Sequence, residues 1–119
     1  MAPLVSQLQS LMRSITETAH QLDEATGKLA HGNGYPLQEI RQEIERLTKH
    51  QLDLVEAFQS AFKQLEGLGC VLKDLSQGLV DFYTMRQAEL VFLCWRLGEE
   101  RIQFWHDLES GFTGRQPLD

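Results

Sequence analysis

"LEGLGCVLK", Leu65 to Lys73, is where one spacing of apolar residues stops and another starts. On its N-terminal side, Leu37, Ile40, Ile44, Leu47, Gln51, Leu54, Phe58, Ala61, Leu65 and Leu68 follow one another in alternating steps of three and four, the seam of a long helix with one helical neighbour. On its C-terminal side the chain turns rich in β-branched and aromatic residues interrupted by glycines, which favours strands. We expect these near residues 70–73, 79–83, 90–97 and 101–107.

A second seam runs through Leu4, Leu8, Leu11, Ile15, Thr18, Leu22, Ala25 and Leu29, with polar residues such as Arg13, Glu17, Glu24 and Lys28 between. The two seams are separated by "HGNGYP", His31 to Pro36, whose glycines and Asn33 favour left-handed backbone and whose proline lacks an N–H. So short a connection predicts an antiparallel helical hairpin. Thr18 and Gln51 are polar at seam positions, where such residues set register. The expected fold class is therefore α+β: a long, coiled-coil-like antiparallel helical hairpin packed on an antiparallel β-sheet of three to four strands. We expect one domain over residues 1–119, with helices at 3–31 and 37–67, the sheet at 70–108 and a Gly-rich tail at 109–119. That tail, "ESGFTGRQPLD", carries two glycines and a proline and is expected not to continue a strand; Phe112 argues that it is ordered.

Strand 90–97 is apolar on both faces, as a central strand covered on both sides would be. "LGEER" puts a glycine where a three-residue hairpin loop needs one, so residues 98–100 are expected to join the third and fourth strands. Pairing Leu97 with Arg101 then sets Cys94 opposite Phe104 and Phe92 opposite His106, and places Cys94 and His106 diagonally on one face. Trp95 and Trp105 fall together on the other face with Val91 and Leu93. That apolar face needs a cover if the hairpin occupies the opposite side, either a second copy of the chain or the tail through Phe112 and Leu118.

Eleven basic against seventeen acidic residues give a net charge of −6, which argues against nucleic-acid binding. No apolar run reaches membrane-spanning length, and the N-terminus lacks the pattern of a signal peptide, so a cytoplasmic protein with no membrane partner is expected. Two cysteines are too few for a disulfide scaffold, and both are expected to be reduced.

Several motifs stand in order along the last third: G-L-V-D-F at 78–82, L-C-W at 93–95, G-E at 98–99, W-H at 105–106 and G-F-T-G-R-Q-P at 111–117. In these the sequence resembles a family of short bacterial proteins known as domain-of-unknown-function (DUF) family 2203. It departs from that pattern at its start, where a phenylalanine-containing segment and a proline ahead of the first helix are missing or shortened, and between the second and third strands, where a glycine and an arginine read as "MRQAEL". The resemblance implies paired long helices followed by the motif-bearing segment. It carries no reaction.

Asp81, Cys94, Glu99, His106 and Arg115 are the polar residues out of place among apolar neighbours or glycines. Thiolate, imidazole and carboxylate are the side chains that bind zinc or iron, so Asp81, Cys94 and His106 form a candidate metal set. A Cys94–His106 nucleophile pair is disfavoured, because "VFLCW" is the most apolar stretch and desolvation raises a thiol's pKa. Arg115 could bind a carboxylate or phosphate, or pin the tail to Asp81, Asp107 or Glu109. With Trp95, Trp105, Glu99 and Arg115 as contact residues, the sequence reads as a non-catalytic binding or assembly module that forms a homodimer or holds a protein partner. The alternative is a metal-binding protein or small metalloenzyme using Asp81, Cys94 and His106.

Overall fold

The computed structural model describes residues 1–31, 34, 36–118; Gly32, Asn33, Tyr35 and Asp119, and with them the expected left-handed turn at Asn33, lie outside the described residues. Helices α1 (Ala2–His31) and α2 (Leu37–Glu66) are followed by strands β1 (Cys70–Asp74), β2 (Leu79–Arg86), β3 (Glu89–Arg96), β4 (Phe104–His106) and β5 (Gln116–Pro117). The chain divides into two compact units, residues 10–60, and residues 1–9 together with 61–119.

The first unit consists of the two helical arms, packed side by side. Their buried residues, Thr18, Ala25, Ile40 and Leu47, are all seam positions. Thr18 returns its hydroxyl to the Ser14 carbonyl at 2.8 Å, so burying it leaves no donor unpaired. Gln51 crosses to the other helix, where its side-chain N–H donates to the Ile15 carbonyl at 3.0 Å. A single directional bond of this kind fixes which turn of one helix faces which turn of the other. Leu37, at the start of the predicted seam, is exposed.

The second unit is built on an antiparallel sheet of order β1-β2-β3-β4-β5. The chain leaves α2 through amide bonds from Gly67 to Lys63 and Gly69 to Glu66, and Gly69, at φ +84°, turns it into β1. Asp74 closes the β1–β2 turn by accepting from Ser76 Oγ and the Gln77 amide. β2 and β3 join through Gln87 and Ala88, both at positive φ, the backbone of a tight two-residue hairpin.

The sheet face that carries Cys70, Val80, Val91 and Trp95 is turned to the helix ends, where Val5, Leu8, Ala61 and Leu65 are buried; Cys70 gives its thiol proton to the Leu65 carbonyl at 3.1 Å. This corrects the expectation for the tryptophan face. The tail, one of the two covers expected for it, lies on the opposite face beside Cys94; on the tryptophan face Val91 and Trp95 are buried within the chain, and Leu93 and Trp105 are half-buried.

Two further expectations change. The link between β3 and β4 spans residues 97–103 rather than a three-residue loop, and the fourth strand is confined to Phe104–His106: a tight turn at 96–99, closed by the Glu99 amide on the Arg96 carbonyl and the Glu99 carboxylate on the Arg96 amide, ends β3 before the chain runs on to β4. The sheet has five strands rather than three to four among the described residues, because the tail returns to pair Gln116 with Trp105 and Pro117 with Phe104. A proline is tolerated there because β5 is an edge strand. Among the described residues no helix is long and apolar enough to cross a membrane.

Gly78 is the tightest backbone position of the β2 entry. It sits at φ +69°, its carbonyl accepts from the Leu97 amide at 3.0 Å, and a Cβ placed on it would lie 2.6 Å from Leu97 Cβ and 3.4 Å from Val5 Cγ1. Gly78→Ala should therefore lower stability by about 2–4 kcal/mol through overpacking and left-handed strain together, read as a lower urea midpoint with an unchanged slope.

Candidate metal centre

The centre grows out of strand register. Asp81 pairs with Cys94 across β2 and β3, and Phe92 with His106 and Cys94 with Phe104 across β3 and β4. The two β3–β4 pairings are those expected from the sequence, although Leu97 and Arg101 do not pair; the Asp81–Cys94 pairing is not among those expected. Directly opposed residues share a face, so Asp81, Cys94, Phe92, Phe104 and His106 all project from the side away from the helix ends. The backbone of β3 carries only the short Cys94 side chain at this point, and Asp81 and His106 reach over it toward each other from the flanking strands.

Asp81, Cys94 and His106 are 2%, 1% and 3% exposed. One donor atom from each lies within 4.8 Å of the other two. His106 Nε2 is 3.0 Å from Asp81 Oδ2, and Nδ1 is 2.7 Å from the Asp107 carbonyl. A carbonyl oxygen only accepts, so the Nδ1 proton belongs to that bond. Nε2 of a neutral ring then presents a lone pair to a carboxylate oxygen. A positive centre, a proton or a metal ion, has to lie between them. The Nδ1–H to backbone carbonyl bond is also the outer contact that orients a metal-bound histidine.

Burial pushes the Cys94 thiol up from its ordinary value, Arg115 pulls it down by hydrogen bonding, and the charge of Asp81 raises it again, with a net upward shift. A thiol so placed is a poor free nucleophile, in line with the sequence reading. Beside the three donors is a cavity of about 150 Å³, lined among others by Lys73, Leu79, Phe92, Leu108 and Phe112.

The tail closes this side. Asp107 Oδ1 accepts from the Glu109 and Ser110 amides, Gly111 turns at φ +67°, and residues Phe112–Gly114 form a short 3₁₀ turn ahead of β5. Arg115 does not meet Asp81, Asp107 or Glu109. It forks onto Glu99 at 3.2 and 2.5 Å, because Glu99 is held at the tail by the Arg96 amide. Trp95, offered by the sequence as a contact residue, is buried on the other face and donates its indole N–H to the Glu99 carbonyl at 3.0 Å. Trp105 is half-buried beneath the guanidinium of Arg86. Sequence reasoning singled out Glu99 and Arg115 separately and missed that they pair; Lys73, whose ammonium stands over Phe92, was not singled out at all.

A family model described as "Uncharacterized conserved protein (DUF2203)" matches residues 1–118, essentially the whole chain. This chain belongs to the DUF2203 family. No curated protein and no solved structure matches it. The motifs of the last third converge on the centre: Asp81 from G-L-V-D-F, Cys94 from L-C-W, Glu99 from G-E, His106 from W-H and Arg115 from G-F-T-G-R-Q-P.

Glu99 links the site to pH. Burial opposes its ionisation, but the Arg115 fork, the Arg96 amide and the charges of both arginines outweigh burial and hold its carboxyl below the ordinary 4.5. A carboxyl that binds its proton less readily when folded than when unfolded stabilises the fold fully above the unfolded value, and that contribution is lost as pH falls through the folded one. Metal-free protein should therefore lose stability on acidification below about pH 4.5, and Glu99→Gln should flatten that part of the profile, as measured by thermal melting across pH 3 to 6.

Proposed function

We propose that this DUF2203 chain is a metal-binding protein, or small metalloenzyme, that holds a divalent transition ion through Asp81, Cys94 and His106. The observation that carries the reading is the His106–Asp81 contact. A buried imidazole nitrogen and a buried carboxylate oxygen lie 3.0 Å apart with the other ring nitrogen against a carbonyl, and a buried sulfur lies within 4.8 Å. A proton between them serves two of the three groups; a metal ion serves all three. The mixed sulfur, nitrogen and oxygen set suits zinc or iron rather than magnesium or calcium, which prefer oxygen alone. Three protein donors beside a cavity leave a coordination position for water or a small ligand, the arrangement found in catalytic rather than structural zinc sites. Both cysteines are free thiols, which suits a reducing compartment, so we place the protein in the cytoplasm.

Untagged protein purified without chelator should carry close to one equivalent of zinc or iron by elemental mass spectrometry. Cys94→Ala and His106→Ala should weaken metal binding by more than about 100-fold, since losing a donor costs more than losing an outer-shell partner, while both variants keep the far-ultraviolet circular dichroism of the parent. A parent protein that takes up no ion from supplied zinc or iron(II) sinks the reading.

Assembly is a second reading, favoured by one observation. Tyr83, Met85 and Leu90 are 57%, 62% and 46% exposed, and they stand together where Met85 pairs with Leu90 and Tyr83 with Phe92. This apolar end of the β2–β3 hairpin is more exposed than the tryptophan face, and fits self-association into a homodimer better. Light scattering should then show a dimer that Met85→Glu converts to a monomer; an unchanged mass for both proteins would remove this reading.

A further inference from the structure

Arg115 has no part in the three-donor set, yet it is the most constrained cation beside it. Its guanidinium lies 3.7 Å from the centre of the Phe104 ring and 4.4 Å from that of Phe112, and it forks onto Glu99 with one nitrogen at 3.2 Å and the other at 2.5 Å. Glu99 in turn is anchored by the Arg96 amide at 2.7 Å. A planar group held by a fork and two ring faces has little freedom to turn. In that fixed pose Nη1 stands 3.9 Å from Cys94 Sγ.

A neutral thiol is a weak acceptor and gives little return for an arginine aimed at it, whereas a thiolate is a strong partner for a charged N–H. Charge balance points the same way. A divalent ion and Arg115 carry three positive charges, and Asp81, Glu99 and a Cys94 thiolate carry three negative ones. Buried charges are tolerated when so compensated. We infer that Arg115 is the positioning residue of the metal centre: anchored by Glu99, it donates an N–H to the Cys94 thiolate, holds the sulfur toward the ion and tempers its electron donation. The inference rests on the metal reading above, and it gives the tail a role in the site. β5 and the 3₁₀ turn hold Arg115 in place, while tail residues Gly111 and Phe112 line the cavity beside the donors.

The test uses the full chain loaded with cobalt(II), whose thiolate-to-metal charge-transfer band reports the electron density on sulfur. Arg115→Met keeps an apolar stem against Phe104 but removes every N–H. Its band should move to longer wavelength, and a chelator should strip its cobalt about 10- to 100-fold faster, the range for losing an outer-shell partner. Arg115→Lys, which keeps one charged donor, should restore part of the band position, a change that a purely structural role would not produce. Glu99→Gln, which loosens the anchor and leaves the arginine in place, should shift the band in the same direction by less, and serves if Arg115→Met does not fold. A parent-like band and stripping rate in Arg115→Met, or in Glu99→Gln where that variant stands in, overturn the role of Arg115 and leave the metal reading intact. A parent chain that binds no cobalt overturns both.

Discussion

The contact between Asp81 and His106 is the constraint around which the sheet-bearing unit is arranged. Neither group is on β3, yet they meet over it at 3.0 Å with both side chains nearly free of solvent. Three conditions make this possible. The central strand has to offer a small side chain at the crossing point, and it offers Cys94. The strands have to hold a register that puts Asp81 opposite Cys94 and His106 two pairs further along, since a one-residue slip would send a donor to the opposite face. The exposed side has to be roofed, because an ionisable pair in contact with water would need no partner. The tail supplies that roof.

Glu99 is where these conditions are joined. Its carboxylate takes the Arg96 amide and the Arg115 fork, and its carbonyl takes the Trp95 indole. One residue in the β3–β4 link therefore touches the strand that carries Cys94, the tail that covers it and the aromatic packed on the other side. Burial alone would resist a charge here, and its carboxyl lies below the ordinary range only because two arginines and an amide surround it. The β3–β4 link runs over residues 97–103, and it opens with a tight turn in which the Glu99 amide donates to the Arg96 carbonyl and the Glu99 carboxylate accepts from the Arg96 amide.

The helical arms obey a simpler logic. Their burial follows the heptad seam, and the two polar seam residues are accommodated by bonds to backbone carbonyls, Thr18 within its own helix and Gln51 across the pair. The Gln51 amide oxygen is buried with no partner among the described residues, a cost borne at the one layer that fixes register. Among the described residues of 10–60 nothing resembles the donor set of the sheet. The chain thus keeps periodic, repeat-like packing in one unit and rare residues at exact spacings in the other.

Sequence alone determined whatever depends on local spacing. The change of period at Leu65 to Lys73 marked the end of the helices, the paired seams predicted the hairpin, and alternation along residues 90–107 predicted which residues of β3 and β4 share a face, including Cys94 with His106. It also assembled the candidate ligands by type, because carboxylate, thiol and imidazole are conspicuous in apolar surroundings. Tertiary structure alone decided which face meets which layer, since alternation separates two faces of a strand without saying what covers either; so Trp95 turned out buried and Cys94 lay under the tail. It also decided that Glu99 and Arg115 pair, that Gln116 and Pro117 add a fifth strand, and that His106 sets Nδ1 against a carbonyl and Nε2 against Asp81. Each of these is a meeting of groups distant in the chain, set by how the strands twist and where the tail lands, and the spacing of residues along a sequence carries no record of it.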